Sequence, residues 1–257
     1  MLPVINVFSY PIATYSLLIL IGIMVGAVIV IYYFAKLNSI SKEDAFFSIL
    51  YAVIGVGIGA KLLYIITNIP FLLQNASQLN IAETLFQMLQ GGFVFYGGLL
   101  GGILGIFIYA KQFKVPFSSL LLSIVPVIPL VHAIGRMGCL CAGCCYGMEY
   151  HGFGAITFTH SPFAPNGIPL FPTQIIEAVC NLVIFFILLA TYKKWIGTYK
   201  TLGLYFILYS IVRFTLEFFR GDLIRGIYFG LSTSQWISIV LFVIGVGIFI
   251  RNAKKKL

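Results

Sequence analysis

Charge is what this sequence has least of. Only 9% of its 257 residues are Asp, Glu, Lys or Arg, and just seven of them are acidic, whereas soluble domains carry charge on about a quarter of their residues. A chain so composed cannot clothe a folded surface in ionised groups, which excludes a soluble globular enzyme. The net charge of +9 raises the question of nucleic acid, but that role needs a basic patch on an exposed domain. Here the lysines fall in short stretches between apolar runs and at the C-terminus, so no nucleic-acid partner is expected. Also missing is a charged segment ahead of the first apolar run, which begins near Tyr15 and is too long for a signal-peptide core. It reads as a retained first span.

What is present is apolar: 60% hydrophobic residues and a mean hydropathy of +1.04. Seven runs, 15–36, 45–67, 93–112, 118–136, 174–192, 202–219 and 233–251, have the roughly 20-residue length of a transmembrane helix. The expected fold is therefore all-α and polytopic, one integral membrane domain over 1–257. Between the second and third runs, 68–92 contains a stretch apolar at helical spacing (Leu79, Ala82, Leu85, Phe86, Leu89) but interrupted by Asn, Gln and Glu83, as an interfacial helix would be. The connection 137–173, with Pro162, Pro165, Pro169 and Pro172, predicts an ordered loop or short-strand cap.

Lysine and arginine set the orientation, because cytoplasmic loops carry the excess. One side holds eleven (Lys36, Lys42, Lys111, Lys114, Lys193, Lys194, Lys200, Arg251, Lys254, Lys255, Lys256) and the other two, Arg220 and Arg225. The N-terminus is expected outside, the C-terminus in the cytoplasm and both 68–92 and the cap on the outer face.

Intramembrane charge then gathers in the outer leaflet. Lys61 falls in the outer half of the second span, Arg136 at the outer end of the fourth, Glu177 one turn into the fifth, and Arg213, Glu217 and Arg220 along the sixth. Spacings of four and three put the last three on one helix face. They read either as a structural ion-pair ladder or, with Arg136 and Lys61, as a site for an anion, of which the lipid headgroup phosphate is the one at hand. Glycines repeat around the third span, including Gly97, Gly98, Gly101 and Gly102. They read as close helix packing, with the pairs flanking Phe93–Tyr96 able to let backbone approach a ligand. Cys139, Cys141, Cys144 and Cys145 form a C-x-C-x-x-C-C run facing outward, with Cys180 alone in the fifth span. A four-thiolate zinc site is not expected from one local run. Cys141 with Cys144 has redox-pair spacing without a thioredoxin-like unit around it, and a local disulfide or a tight turn of small residues is the commoner cause.

Four segments resemble the prolipoprotein diacylglyceryl transferase family over nearly the whole chain: GGFVFYGGLLGG at 91–102, GRMGCLCAGCCYG at 135–147, PTQIIEA at 172–178 and RFTLEFFRGD at 213–222. Lys61 stands where the family has an arginine, and Tyr15 opens the first span as a family tyrosine does. The resemblance implies a multi-pass enzyme of the bacterial cytoplasmic membrane. Its activity would be to transfer diacylglyceryl from phosphatidylglycerol to the lipobox cysteine of a prolipoprotein signal peptide, with membrane lipid as its surroundings and neither cofactor nor metal. It further implies catalytic roles for Arg136, Arg213 and Tyr96, and substrate contacts from Tyr15, Lys61, Gly97, Gly98, Gly135, Gly138, Cys139, Gly143, Gly147, Gln174, Glu177, Glu217 and Arg220.

The sequence departs from the family at the chemistry. Tyr96 occupies the position of a family histidine, and Cys139, Ala142 and Cys144 those of two asparagines and a glutamate. A tyrosine, with a pKa near 10, is a poor general base at neutral pH. His132, one helical turn before Arg136, is a second candidate base or else a packed core histidine. Two other readings keep the composition: a paralogue serving another acceptor, and a lipid- or ion-handling transporter. The absence of ionisable groups running to the cytoplasmic side speaks against transport.

Overall fold

The computed structural model describes residues 3–7, 10–74, 94–222 and 226–253. Among them are seven long helices: α1 (Thr14–Leu37), α2 (Lys42–Gln74), α3 (Phe95–Phe113), α4 (Phe117–Ala142), α5 (Thr173–Tyr192), α6 (Lys200–Glu217) and α7 (Thr233–Ala253). Three antiparallel hairpins accompany them: β1 (Val4–Val7) with β2 (Tyr10–Ala13), β3 (Ile156–Thr157) with β4 (Pro169–Leu170), and β5 (Ile227–Tyr228) with β6 (Leu231–Ser232). The fold is thus mostly helical rather than purely so. Five helices, all but α3 and α6, are long and apolar enough to cross a membrane. In α6 the charges of Lys200, Arg213 and Glu217 lower the hydropathy, and in α3 five glycines do. The helices expose Leu20, Ile58, Leu100, Phe186 and Val243, as lipid-facing surfaces do and soluble ones seldom do in such number.

Boundaries differ from expectation in two places. Residues 68–74 continue α2, and 75–92, the rest of the expected interfacial stretch, lie outside the described residues. The fourth span does not stop at Arg136: the helix runs on to Ala142 and ends at Gly143, whose φ of 77° is the left-handed geometry of a helix stop. Charge at Arg136 ends the apolar run without ending the hydrogen-bonded helix.

The chain forms two compact units, Asn38–Leu121 and Met1–Leu37 with Leu122–Leu257. In the first, Ser41 caps α2 by accepting from the Asp44 amide (2.9 Å), and Asp44 accepts from the Tyr109 hydroxyl of α3 (2.7 Å). Between those ends α2 and α3 meet backbone to backbone. A Cβ on Gly59 or Gly97 would collide with the other's carbonyl, and one on Gly101 with that of Gly55. In the second unit α1 packs on the Ile128–Ala142 part of α4, α4 on α5, α5 on α6 and α6 on α7. Tyr192 of α5 meets the Phe34 ring of α1 edge-on (4.6 Å) and donates to the Leu122 carbonyl (3.0 Å). After α4 comes a small cap whose core is Leu140, Phe158, Ala164 and Leu170. It is tied to the end of α6 by Met148 N–H to the Phe219 carbonyl (2.9 Å) and Gly221 N–H to that of Tyr146 (3.0 Å).

Candidate active site

The site is built on one face of α4, where His132, Arg136 and Cys139 recur at helical spacing. The facing side of α5 is polar for the same reason: Gln174, Glu177 and Asn181 are all buried. Arg136 Nη2 donates to Glu177 Oε1 at 2.7 Å, and His132 Nε2 lies 3.6 Å from that same oxygen. The arginine distance is a charge-assisted hydrogen bond, while the histidine distance is ion-pair range only. Arg136 Nη1 points at Cys139 Sγ, 3.8 Å away. The remaining donor, Arg136 Nε, is buried and has no hydrogen-bond partner among the described residues.

A second cationic centre lies on α6 and α7. Arg213 Nη2 is 2.8 Å from Glu217 Oε2 and donates to Ser234 Oγ at 3.0 Å, while its Nη1 is buried without a hydrogen-bond partner among the described residues. Arg213 and Glu217 therefore pair as their spacing implies. Arg220 does not join them: α6 has ended at Glu217, and Arg220 instead forms a bidentate pair with Asp222 (Nε to Oδ1 3.0 Å, Nη2 to Oδ2 2.6 Å). Asp222, two residues away, closes the 213–222 segment of the family resemblance but is given no role there, and Ser234, on another helix, has no place in the sequence reading.

Between these centres in sequence runs the cysteine turn. Gly143 N–H and Cys144 N–H both donate to the Cys139 carbonyl (2.8 and 3.1 Å), reversing the chain so that Cys144 returns toward Cys139. Cys145 follows with φ of 57°, a backbone region that non-glycine residues seldom occupy. Gln174 and Thr173 pin the turn by donating to the carbonyls of Cys144 (2.9 Å) and Cys145 (3.0 Å). The Gln174 amide thus holds the loop in place. The result brings Sγ of Cys139, Cys144 and Cys145 within 4.8 Å of one another, without Cys141. The Cys141–Cys144 pairing suggested by spacing is not formed, and all five cysteines are free thiols. Hydrogen bonds with Cys139 and Cys144 hold the Cys145 thiol below the ordinary thiol range, and those shared with Cys139 and Cys145 push Cys144 above it.

The glycines shape this unit by closeness. Gly138 lies against the backbone of Tyr15 at the start of α1, and Gly135 leaves ordinary contact to Ile19. A Cβ on Gly147 would strike the Phe171 carbonyl, and one on Gly143 the Ser161 side chain, whose hydroxyl donates to the Ala142 carbonyl (3.2 Å). Lys61, Tyr96, Gly97 and Gly98 belong to the α2–α3 unit. There Gly97 meets Gly59, Gly98 meets Val56 and Ala60, and Lys61 Nζ lies 5.5 Å from the Tyr64 ring centre.

Arg136 and Arg213 each keep a buried donor without a partner among the described residues, on helices that also carry exposed apolar side chains. The sequence profile of the prolipoprotein diacylglyceryl transferases matches residues 3–251. The chain belongs to that family. It is 36% identical over 247 residues to the phosphatidylglycerol–prolipoprotein diacylglyceryl transferase of Clostridium tetani, covering 96% of this chain and 95% of the relative. It is 35% identical over 253 residues to transferase 2 of Clostridium perfringens (97% and 94%) and 32% over 254 residues to that of Clostridioides difficile (97% and 94%).

Proposed function

We propose that this chain transfers the diacylglyceryl group of phosphatidylglycerol to the lipobox cysteine thiol of a prolipoprotein. It does so in the outer half of the bacterial cytoplasmic membrane, with seven spans, N-terminus outside and C-terminus in the cytoplasm. Supporting the orientation are the eleven cytoplasmic-side lysines and arginines against two; α3 and α6 serve as the third and sixth spans of this reading. The cap and the stretch 68–92 then belong to the outer face.

The reaction makes one thioether and breaks one carbon–oxygen bond. The acceptor thiolate attacks the glyceryl carbon bearing the phosphoester oxygen, and glycerol phosphate leaves with the bonding pair. Charge grows on the departing phosphate, so fixed cations in a water-poor site lower the barrier, each donor by about 3–4 kcal/mol. The single observation that carries this reading is that Arg136 Nε and Arg213 Nη1 are buried, charged and without hydrogen-bond partners among the described residues. A buried donor left unmet costs about 1–3 kcal/mol, which a phosphate oxygen would recover. Glu177 and Glu217 hold the two guanidinium groups in place. Within the larger unit Tyr15 and the glycines of 135–147 complete substrate contact, and His132 accepts the thiol proton, as Tyr96 is a poor base.

The test is direct: purified protein with labelled phosphatidylglycerol and a lipobox peptide should yield a peptide heavier by one diacylglyceryl group. A peptide of unchanged mass would reject this reading, and a different added mass would favour the paralogue that serves another substrate.

A further inference from the structure

The three converging thiols are unexplained by phosphate binding. Cys139 is buried and Cys144 and Cys145 are half-buried, so the cluster has one closed side and one open side. Three sulfurs bound to one ion at about 2.3 Å sit about 3.8–4.0 Å apart. The observed separations, all within 4.8 Å, need closing by less than about 1 Å, within rotamer adjustment. Both anchors of the turn are backbone features rather than thiol contacts: the left-handed Gly143 and Cys145, and the carbonyls held by Gln174 and Thr173. A cation also lies beside the cluster, which with three thiolates and a divalent ion would carry one negative charge: Arg136 Nη1 is 3.8 Å from Cys139 Sγ.

We infer that Cys139, Cys144 and Cys145 bind one thiophilic d10 cation, of the zinc(II) or copper(I) class, and leave its fourth position open toward the substrate. Soft thiolates select such ions, and three protein ligands with one vacancy is the arrangement of catalytic rather than structural zinc. Resting on the transferase reading, the group of matching chemistry for the vacancy is the acceptor's own thiol. A thiol that coordinates such an ion gives up its proton, here to His132. The metal-held sulfur then forms the S–C bond to the glyceryl carbon, the C–O bond breaks, and glycerol phosphate departs with the electron pair. The ion's oxidation state is unchanged. This would supply the nucleophile in a chain where Tyr96 stands in the histidine position.

The experiment takes the purified full-length protein, reduced and handled without oxygen, and titrates it with Zn2+ and separately with Cu+. Cd2+ serves as the spectroscopic probe, through its sulfur-to-metal charge-transfer absorption. One equivalent of one of these ions should be retained, and Cys139→Ser, Cys144→Ser or Cys145→Ser should each weaken retention at least tenfold, while Cys141→Ser and Cys180→Ser should not. Chelator-stripped wild-type protein, which needs no substitution to fold, should lose at least tenfold in transfer and regain it on adding the ion. No retained ion, retention indifferent to Cys139→Ser, or a disulfide among the three in the isolated protein overturns the site. An ion that is held while stripped protein transfers at full rate overturns the open-position role. Protein that holds the ion yet transfers nothing in any state rejects the transferase reading and leaves the metal site standing.

Discussion

The α2–α3 unit and the α4–α5–α6 interfaces of the larger unit solve one problem in opposite ways. Lipid is as apolar as a leucine side chain, so helices in a membrane gain little from hiding hydrophobic surface and associate through close packing or polar contact. The α2–α3 pair uses packing: Gly55, Gly59, Gly97 and Gly101 bring the two backbones into touch. The larger unit uses polarity, burying Gln174, Glu177, Asn181 and Glu217 and pairing the two carboxylates with Arg136 and Arg213. At Gly59–Gly97 and Gly55–Gly101 this contact sets backbone against backbone and brings no side-chain donor. Buried charge costs desolvation but leaves directed donors, which is why the candidate catalysis falls on the second region.

The comparison breaks most sharply at the arginines. Arg136→Ala and Arg213→Ala should each lower transfer of labelled diacylglyceryl by about 10²–10³-fold. Arg136→Lys, which keeps a cation for Glu177, should still lose at least about tenfold because the fork is gone; activity near wild type in these variants rejects the phosphate clamp. His132→Ala should cost about 10²-fold in turnover, the low end for a general base, with expression retained. Full turnover would return His132 to a packing role.

On the glycine side, Gly97→Val forces a side chain into the Gly59 carbonyl and should destabilise the protein by about 1–3 kcal/mol, read as a lower melting midpoint in detergent. Glu177→Gln sits at the polar seam, retains a hydrogen-bond acceptor for Arg136 and removes the charge; about a tenfold fall in transfer is expected from a less firmly held guanidinium, since about 1.4 kcal/mol is a factor of ten. Smallest is Gly57→Ala. Nothing lies within 4 Å of where its Cβ would be, so stability should stay within about 0.5 kcal/mol, and a large shift would show that α2 is packed on that side as well.

Much of this was legible in the residues, for reasons that local physics supplies. Helical periodicity puts His132 over Arg136 and Arg213 over Glu217, but the helix stop at Gly143 lies seven residues beyond the expected end at Arg136. The Arg136–Glu177 bond was anticipated only as proximity in one leaflet, because it joins residues 41 apart in sequence. Arg220 was misassigned to the α6 ladder because spacing does not reveal that a helix has already ended. The cysteines were the least legible. A run of C-x-C-x-x-C-C suggests neighbours by number, yet the reversal at Gly143 selects Cys139 with Cys144 and Cys145 and leaves Cys141 out.

The sequence alone determined that the chain is an apolar helical membrane protein, which residues are candidates for its site and which family it resembles. Composition, period and charge count are local properties that need no folded chain. Only the tertiary structure decided which carboxylate each arginine holds, which guanidinium nitrogens are left unmet, and that three thiols converge beside one of them. Those outcomes depend on helix ends and on contacts between distant segments, where a single left-handed residue redirects the side chains that follow.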